Sequence, residues 1–365
     1  MNQHLNYLLA LHYAPRVGSQ TLLSLSSQFK NLEELFQASN SQLKFLKLEE
    51  ETIAWIKNPN WSCIEKELEW LGEKNHHLVT FNDPNYPQFL KEISSPPFLF
   101  FASGNVDILN NPAIAVVGSR NPTSSGLELA DYFAQELAAK DFAIISGMAL
   151  GIDGAAHRGA LKAKGKTVAV LGSGLKNIYP ASHQKLFGSI LENDGTVISE
   201  FPLDTPPLKQ NFPMRNRVIS GLSLGVLIIE ASLKSGSLIT AKYALNQNRE
   251  VFAVPGSIRN PLSTGPHYLI QQGAKLVTCI EDILEEINPA LLASSLPIKK
   301  IIPAKSEEKL DLDHRKLLNC IEYELTAIDQ LIERSGLTAE KVTAILITLE
   351  LEGYIQTAMN GYSRV

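Results

Sequence analysis

The sequence predicts an α/β protein built on a doubly wound, mainly parallel sheet, with a helical unit before the sheet and a small winged-helix-like unit after it. Short, continuous apolar runs recur between residues 113 and 277, and helical patterns separate most of them. Strands that are apolar throughout are buried on both faces, which is typical of parallel strands covered by helices. The predicted strands are 113–117, 143–146, 168–171, 197–199, 226–229, 251–254 and 276–277.

The length and composition of the chain limit the classes of protein to consider. Its 365 residues leave room for two or three domains, and a hydrophobic fraction of 44% is enough for sizeable cores. The formal net charge is −5, so any binding of nucleic acid would depend on a local basic patch. Cys63, Cys279 and Cys320 lack the spacing of metal ligands or redox motifs, which predicts buried thiols in a reducing compartment.

The sequence shows neither a membrane span nor a secretory signal. It has no run of about 18 apolar residues, and its first residues lack a basic region and a small-residue cleavage site. We therefore expect a cytoplasmic protein without a membrane partner.

Residues 1–80 are predicted to form a helical domain of the SAM or helix-hairpin-helix type. Leu5 and Leu8 fall on one face of a helix, and the Gly18-Ser19 turn starts another helix. The backbone of a helix-hairpin-helix can contact a DNA phosphate. A plain turn between two packed helices is the alternative reading of this segment.

Residues 81–288 are predicted to form an extended Rossmann-like domain. The segment 79–112 is expected to contribute a short strand, a turn, a short helix and another strand, because Pro96-Pro97 stops a helix from continuing. This segment holds too many apolar residues for a free linker, so it should pack on the domain that follows.

The segment 212–256 contains the pattern around which this domain is organised. A cationic cluster precedes an apolar run, and a loop rich in Gly and Ser, 234–237, leads into a helical pattern and a second apolar run. Strand, loop, helix and strand make one βαβ unit. A small-residue loop before a helix offers backbone N–H groups and the positive end of the helix dipole. Both favour an anion such as phosphate.

Two sets of side chains extend this anion-binding prediction. Gly118, Ser119 and Arg120 follow the first strand of the sheet, where backbone amides could face a ligand and Arg120 would add a fixed charge. The glycine spacing differs from the dinucleotide fingerprint GxGxxG. The alternative is a turn with a solvated arginine.

The second set lies just before the apolar run and combines cations with an aromatic ring. Basic side chains for phosphates and a ring face for a base are the groups that single-strand binding uses. A salt-bridged loop is the alternative. The set is Lys209, Phe212, Arg215 and Arg217.

Three acid or imidazole side chains admit either chemical or structural roles. Asp153 and His157 are four residues apart, and a hydrogen-bonded pair that fixes a helix start is favoured over a metal site, because no third ligand is evident. Glu230, at a strand end, could act as a general base or hold a loop by accepting backbone N–H bonds. No nucleophile motif accompanies it.

The C-terminal part is predicted to consist of a linker, 289–309, and a winged-helix-like domain, 310–365. Three helical patterns are followed by a hairpin around Asn360-Gly361, a strong turn signal. Thr338 is expected to cap the third helix.

The second and third helices of this domain carry further expectations. Thr326 with Asp329 resembles a capping box at the start of the second helix. The third helix carries three glutamates against one lysine, whereas a helix that enters the major groove needs cations. Protein contact or a structural role is therefore favoured over duplex binding. The charged residues are Glu340, Glu350, Glu352 and Lys341.

Taken together, the motifs resemble the DNA-processing protein A (DprA/Smf) family over about residues 80–288. Many short blocks occur in the family's order. The blocks are Gly118-Ser119-Arg120; Ser146-Gly147-Met148-Ala149; Gly151-Ile152-Asp153 with His157; Gly172-Ser173-Gly174-Leu175 with Tyr179-Pro180; Ser199-Glu200-Phe201-Pro202; Phe212-Pro213-Met214-Arg215-Asn216-Arg217; Ser220-Gly221-Leu222-Ser223; Ser235-Gly236-Ser237 with Thr240-Ala241; and Val254-Pro255-Gly256.

The resemblance implies a non-enzymatic protein without a cofactor or a metal. Members of this family bind single-stranded DNA in natural transformation, protect incoming strands and load the RecA recombinase. They form homodimers through the Rossmann-like domain, and single-strand-binding protein is a further candidate partner. Arg120 and Lys209 would hold phosphates, and Phe212 would stack on a base. The full set of candidate DNA-binding residues is Gly118, Ser119, Arg120, Gly174, Lys209, Phe212, Arg215, Asn216, Arg217 and Ser237.

The competing hypothesis is that the protein is an enzyme. The Gly/Ser loop, Glu230 and Thr240 also resemble, more distantly, the nucleotide-hydrolysing phosphoribohydrolases of the lysine-decarboxylase-like group. That group carries a Pro-Gly-Gly-x-Gly-Thr loop followed by a glutamate. The loop 234–240 of this chain lacks both the double glycine and the later acid.

Overall fold

The computed structural model describes residues 3–29, 31–287, 310–323, 325–358 and 361–364. The chain divides into two compact units, Met1–Ser295 and Leu296–Val365, and each is described by itself. The predicted linker, 289–309, and Asn360 of the predicted hairpin turn lie outside the described residues. Among the described residues, no helix is both long and apolar enough to cross a membrane.

The chain before the sheet is helical, as predicted. The buried side chains of this helical part include Leu9 and Leu35, and they form one apolar cluster with Phe101 and Val197 of the sheet. The helices are therefore packed onto the sheet within the same unit. They are α1 (Gln3–His12), α2 (Ser19–Gln28), α3 (Leu32–Gln37), α4 (Asn40–Phe45), α5 (Glu50–Lys57) and α6 (Trp61–Leu71).

The sheet has the order β1-β2-β6-β5-β4-β3-β7-β8-β9. The seven strands from β3 to β9 pair in parallel, while β2 pairs antiparallel with both β1 and β6. The seven predicted strands are confirmed, each within one residue. The strands are β1 (His76–Thr80), β2 (Leu99–Gly104), β3 (Ala113–Val117), β4 (Ala143–Ser146), β5 (Thr167–Val170), β6 (Thr196–Ser199), β7 (Gly225–Ile228), β8 (Glu250–Ala253) and β9 (Lys275–Leu276).

The strand order reverses direction at β3. From β3 the chain builds outward through β4, β5 and β6, and it then returns to place β7 on the other side of β3. Right-handed crossovers put the helices of the two halves on opposite faces, so the sheet is doubly wound. A crevice forms where neighbouring crossovers leave in opposite directions. The carboxyl ends of β3 and β7 border that crevice.

The helices between the strands cover the sheet. Helices α8 and α9 pack against each other and against β3 and β4, whereas α11 and α12 pack against each other and share an apolar cluster with β3 and β7. The helices are α7 (Gln88–Lys91), α8 (Ser124–Ala138), α9 (Ile152–Lys162), α10 (Gln184–Glu192), α11 (Asn211–Gly221), α12 (Ser237–Asn246), α13 (Thr264–Gln271) and α14 (Ile280–Ile287). Short 3-10 helices lie at Val106–Asn110, Ala181–His183 and Pro261–Ser263.

The C-terminal unit consists of three helices and a hairpin within its described residues. A core that includes Leu317, Leu331 and Leu346 joins the helices. The Thr338 hydroxyl accepts a hydrogen bond from the Lys341 amide at 3.4 Å, which confirms the predicted cap. The helices are Leu312–Leu318, Ile328–Ser335 and Ala339–Leu351, and the hairpin pairs β10 (Ile355–Ala358) with β11 (Gly361–Arg364).

Two smaller predictions were wrong. Thr326 does not open a capping box, because the second helix of the C-terminal unit begins after Ala327 and the Thr326 backbone pairs with Tyr362. The amide of Thr326 donates to the Tyr362 carbonyl at 2.8 Å, which fixes Thr326 beside the hairpin. The expectation of buried thiols was also wrong, because the three cysteines are free and only partly buried.

Candidate functional site

A cleft of about 690 Å³ opens at the carboxyl ends of β3 and β7, where the strand order reverses. Ligands of open α/β sheets bind at this kind of switch point. Residues from six strand-to-helix connections and the helix starts that follow them line the cleft. Eight of the ten predicted site residues are among them: Gly118, Ser119, Arg120, Lys209, Phe212, Arg215, Asn216 and Ser237.

The loop after β3 is held rigidly by its neighbours. A Cβ on Gly118 would lie 2.7 Å from the Ile152 side chain and 2.9 Å from the Glu230 carbonyl, so only glycine fits. The Ser119 amide donates to the Glu230 carbonyl at 2.6 Å, and the Ser119 carbonyl accepts from the Ile152 amide. The expectation that this amide faces a ligand was therefore wrong for Ser119. Arg120, which follows, is exposed.

Glu230 serves as an anchor for the start of α8. Its carboxylate accepts hydrogen bonds from the Thr123 amide at 2.8 Å and from the Thr123 hydroxyl at 2.7 Å, and Asn260 donates to it at 3.4 Å. The Thr123 hydroxyl in turn accepts from the Gly126 amide and caps the helix. Of the two roles considered for Glu230, the structure supports the one in which it holds a loop.

Phe212 lies in the cleft among cations and a second aromatic ring. The guanidinium carbons of Arg120 and Arg215 lie 5.3 Å and 6.0 Å from the centre of the Phe212 ring. The Tyr179 ring centre is 5.8 Å from it. A Cβ on Gly172 would come within 2.8 Å of the Phe212 ring, so the glycine leaves space for this packing.

Arg215 forms the floor of the cleft and is almost fully buried. Its guanidinium donates to the Gly147 carbonyl at 2.6 Å and also to the Val170 carbonyl. Burial lowers the pKa of Arg215 to about 10, so the side chain is still charged at neutral pH. Because the side chain is committed to these carbonyls, Arg215 contributes positive potential and is not free to follow a ligand.

Asp153 is the acidic residue that interacts with Arg215 on the floor of the cleft. Its carboxylate accepts from the Gly147 amide at 3.1 Å and the Ala149 amide at 3.4 Å, and it interacts electrostatically with Arg215. Burial raises the pKa of Asp153, and the nearby guanidinium opposes that effect. The predicted pair with His157 was wrong, because the His157 ring bonds the Thr167 hydroxyl at 2.7 Å.

The remaining walls of the cleft come from the starts of α11 and α12. Lys209 is exposed at the rim, three residues before Phe212. Asn216 donates from its side chain to the Gly236 carbonyl at 3.2 Å and so ties α11 to the start of α12. Gly236 and Ser237 line the cleft where the positive end of the α12 dipole lies.

The structure does not bring Arg217 and Gly174 into the cleft lining. Arg217 donates from one nitrogen to both carboxylate oxygens of Glu200, at 2.5 Å and 2.6 Å, and Ser19 of α2 donates to the same carboxylate at 2.7 Å. A Cβ on Gly174 would lie 2.1 Å from the Leu203 carbonyl, so Gly174 is required for chain packing.

Tyr179 is an aromatic residue of the cleft lining that was not among the predicted site residues. Its side chain is 47% exposed and borders both the main cleft and a small adjoining pocket with Leu150 and Pro180. The available signal was an aromatic residue at the end of a strand-end loop that starts with Gly172. Tyr179 is 33 positions from Phe212 in the sequence, so the contact between the two rings could not be predicted from their spacing.

The comparisons with known proteins agree with this architecture. A family model described as "DNA recombination-mediator protein A" matches residues 77–288, more than half of the chain. A second model, the DprA winged helix domain, matches residues 302–361. This second match confirms the predicted winged-helix character of the C-terminal unit.

Relatives and solved structures extend the comparison over most of the chain. Protein Smf of Escherichia coli is 44% identical over 302 residues, which cover 83% of this chain and 81% of that protein. The X-ray structure of DprA from Streptococcus pneumoniae has a TM-score of 0.68 at 36% identity and covers 78% of this chain and 98% of that chain.

A structure of DNA processing protein A from Helicobacter pylori, described for its single-stranded DNA binding mode, has a TM-score of 0.53 at 29% identity. It covers 60% of this chain and 97% of that chain. Because one family model matches more than half of its length and a 44% identical relative spans most of both proteins, this chain belongs to the DprA/Smf family of DNA recombination mediators.

Proposed function

We propose that this chain binds single-stranded DNA in the cleft at the switch point of its sheet and acts as a recombination mediator that protects the strand and loads RecA onto it. One observation carries the binding proposal. The exposed guanidinium of Arg120 lies beside the half-buried Phe212 ring, and the exposed Lys209 stands three residues before that ring.

This arrangement matches the chemistry of a single strand. Arg120 and Lys209 provide charges for successive phosphates, and Phe212 with Tyr179 provides ring surface for unpaired bases. A base pair hides its faces within the duplex stack, so ring stacking selects for unpaired bases. The start of α12, at Ser237, adds the positive end of a helix dipole.

The relatives support the same proposal. The Helicobacter pylori protein is described for single-stranded DNA binding, and the chain shares the recombination-mediator family with it. Loading of RecA, a homodimer through the Rossmann-like domain, and contact with single-strand-binding protein are proposed from the family resemblance. A cytoplasmic location and the domain bounds 1–80, 81–288, 289–309 and 310–365 are proposed with them.

A non-enzymatic role is favoured over nucleotide hydrolysis. The hydrolase alternative requires Glu230 or a nearby acid as a catalytic group. The Glu230 carboxylate is instead occupied by the Thr123 amide, the Thr123 hydroxyl and Asn260. An anchor that holds a loop in this way has little freedom to exchange protons with a substrate.

Fluorescence anisotropy with labelled oligo-dT and a matched duplex, each over a range of salt, tests the binding proposal. We expect preferential, salt-sensitive binding of the single strand, because bound phosphates release counterions. Preference for the duplex would contradict it and direct attention to the C-terminal unit. Absence of binding to both, with release of a free base from a nucleoside monophosphate, would favour the hydrolase.

The loading proposal needs a separate assay. RecA activity is measured on a single strand that is already coated with single-strand-binding protein, with and without this chain. We expect the chain to shorten the delay before RecA assembles. The variant Arg120→Ala with Lys209→Ala should lose this effect. If wild type binds the strand but leaves the delay unchanged, the loading proposal is wrong and the binding proposal stands.

A further inference from the structure

A second basic groove, of about 540 Å³, lies between α9 and α10, outside the main cleft. We propose that a bound single strand leaves the cleft across Leu150 and Tyr179 and that its phosphates continue along this groove. The proposal rests on the proposed function and extends it by naming the path of the strand. We call this surface the exit groove, and its lining includes Arg158, Lys162, Ser182, Lys185, Ser189 and Asn193.

The charge of the exit groove fits a phosphodiester. Three cations line it, and among the described residues no carboxylate does. Lys162 is partly neutralised by Asp131 at 2.8 Å. Arg158 and Lys185 are exposed and form no ion pair within the described parts of the chain, so their charges face solvent. In a chain with a net charge of −5, such a site is a local exception.

The exit groove is connected to the cleft through the first turn of α9. Asp153 belongs to the cleft lining, and the next residue, Gly154, lies against two residues that line the exit groove. A Cβ on Gly154 would lie 3.0 Å from His183 Nε2 and 3.3 Å from Arg158 Nη1. The His183 ring is held in place by a 2.9 Å hydrogen bond to the Met148 carbonyl.

A second connection runs along the chain from Tyr179 to Lys185. Tyr179 borders the cleft and the adjoining pocket, and the 3-10 helix Ala181–His183 leads directly into the exit groove. Leu150 and Tyr179, which line the pocket that adjoins the cleft, are 45% and 47% exposed. They provide apolar contact for a base at the point where the strand would cross.

The dimensions suit a short extension of the strand. From Gly151, at the start of α9, to Arg158 the helix rises about 10 Å. This distance corresponds to at most about three nucleotides, the number reached at the compact per-strand spacing of B-form DNA. The phosphates of one continuous strand can therefore reach both surfaces.

The test compares oligo-dT of about 6 nucleotides with oligo-dT of about 20 nucleotides, which bracket common single-strand site sizes. Binding to the full chain is measured for wild type, for Arg158→Ala with Lys185→Ala, and for Lys74→Ala with Lys140→Ala. The last variant removes the same charge from exposed lysines outside the cleft and the exit groove. Thermal unfolding confirms that each variant is folded.

We expect the Arg158 and Lys185 variant to bind the long strand several-fold more weakly and to bind the short strand as wild type does. Its salt dependence on the long strand should fall by about 1.4 in slope, since each phosphate contact on a single strand contributes about 0.7. The control variant should match wild type. A long strand that carries 4-thiothymidine at one end should crosslink to the segment 181–193.

Several results would contradict the proposal that the strand continues along the exit groove. Equal affinity of wild type and the variant for the long strand would do so, as would equal loss for both strand lengths. Binding of polyglutamate at these residues without an effect on DNA would assign the surface to an acidic partner instead. Failure of wild type to bind either oligonucleotide would overturn the proposed function itself, which separates the two failures.

Discussion

The guanidinium carbon of Arg120 lies 5.3 Å from the centre of the Phe212 ring. The loop after β3 carries the arginine and the start of α11 carries the ring, and the sequence separates them by 92 positions. At an exposed site such a cation–π contact is worth about 0.5–1 kcal/mol. For the proposed binding of a single strand, this contact means that a charge suited to a phosphate and a flat surface suited to a base lie within reach of one nucleotide.

Removing the two exposed cations of the cleft should weaken binding of a single strand without changing the fold. We expect Arg120→Ala with Lys209→Ala to lose about tenfold or more in affinity, because both cations proposed to hold phosphates are removed. This loss corresponds to about 1.4 kcal/mol or more of binding free energy. The salt slope should fall by about 1.4 for two lost phosphate contacts. Anisotropy over a range of salt measures both, and Lys74→Ala with Lys140→Ala is the control. Unchanged affinity would refute the assignment of these two cations.

Phe212→Ala should weaken binding by a different route. Loss of one stacked base costs about 1–3 kcal/mol, and the number of phosphate contacts is unchanged. We therefore expect weaker binding with the salt slope of wild type, measured in the same titrations. Phe212→Trp should keep most of the affinity and Phe212→Leu should not. If leucine were as effective as phenylalanine, stacking would not be the role of this ring.

Arg215→Ala should affect stability, in contrast to Arg120→Ala. Arg215 is buried, and its loss leaves the Asp153 carboxylate without a balancing charge and two backbone carbonyls without a donor. Breaking a buried charge pair in this way costs about 3–5 kcal/mol. Urea unfolding should show a loss of this size for Arg215→Ala and no more than about 1 kcal/mol for Arg120→Ala, which loses its contact with Phe212. Similar stabilities for the two variants would contradict this distinction.

Glu67 gives the stability of the chain a pH dependence of predictable sign. This carboxylate, in α6, accepts from the Tyr13 hydroxyl at 2.7 Å and from the Leu203 amide at 3.2 Å, and its other oxygen is buried without a partner in the described structure. Burial raises the pKa of Glu67 from 4.5 to about 7. The folded state therefore holds the proton more tightly than the unfolded state does.

The stabilisation from this proton is complete below about pH 4.5 and is lost as the pH rises through about 7, a change on the order of 3 kcal/mol. Glu67→Gln should remove the dependence, so the variant should gain stability relative to wild type between pH 5 and pH 8. His12 and His157, whose pKa values are lowered by burial, act in the opposite direction but are present in both proteins. A constant difference in unfolding free energy across this range would refute the assignment.

Much of the fold and part of the site could be read from the sequence because their signals are local. Each buried parallel strand is a short apolar run, so seven strands were placed within one residue of their observed bounds. Residues that follow such strands, including Gly118, Arg120 and Ser237, necessarily meet at one edge of the sheet. Arg215 and Arg217 look equivalent in this pattern, since both are cations on one short segment.

Only the tertiary structure separated the side chains that face the cleft from those that stabilise the fold. Arg215 binds the carbonyls of Gly147 and Val170, and Arg217 pairs with Glu200. Periodicity assigns a residue to an element, but it does not tell whether the side chain of a cation is already paired with a distant carboxylate or carbonyl. The sequence by itself determined the sheet, its order of strands along the chain and the edge at which the cleft lies. Packing between distant segments decided which cations are free there, because hydrogen bonds and ion pairs depend on distances in space.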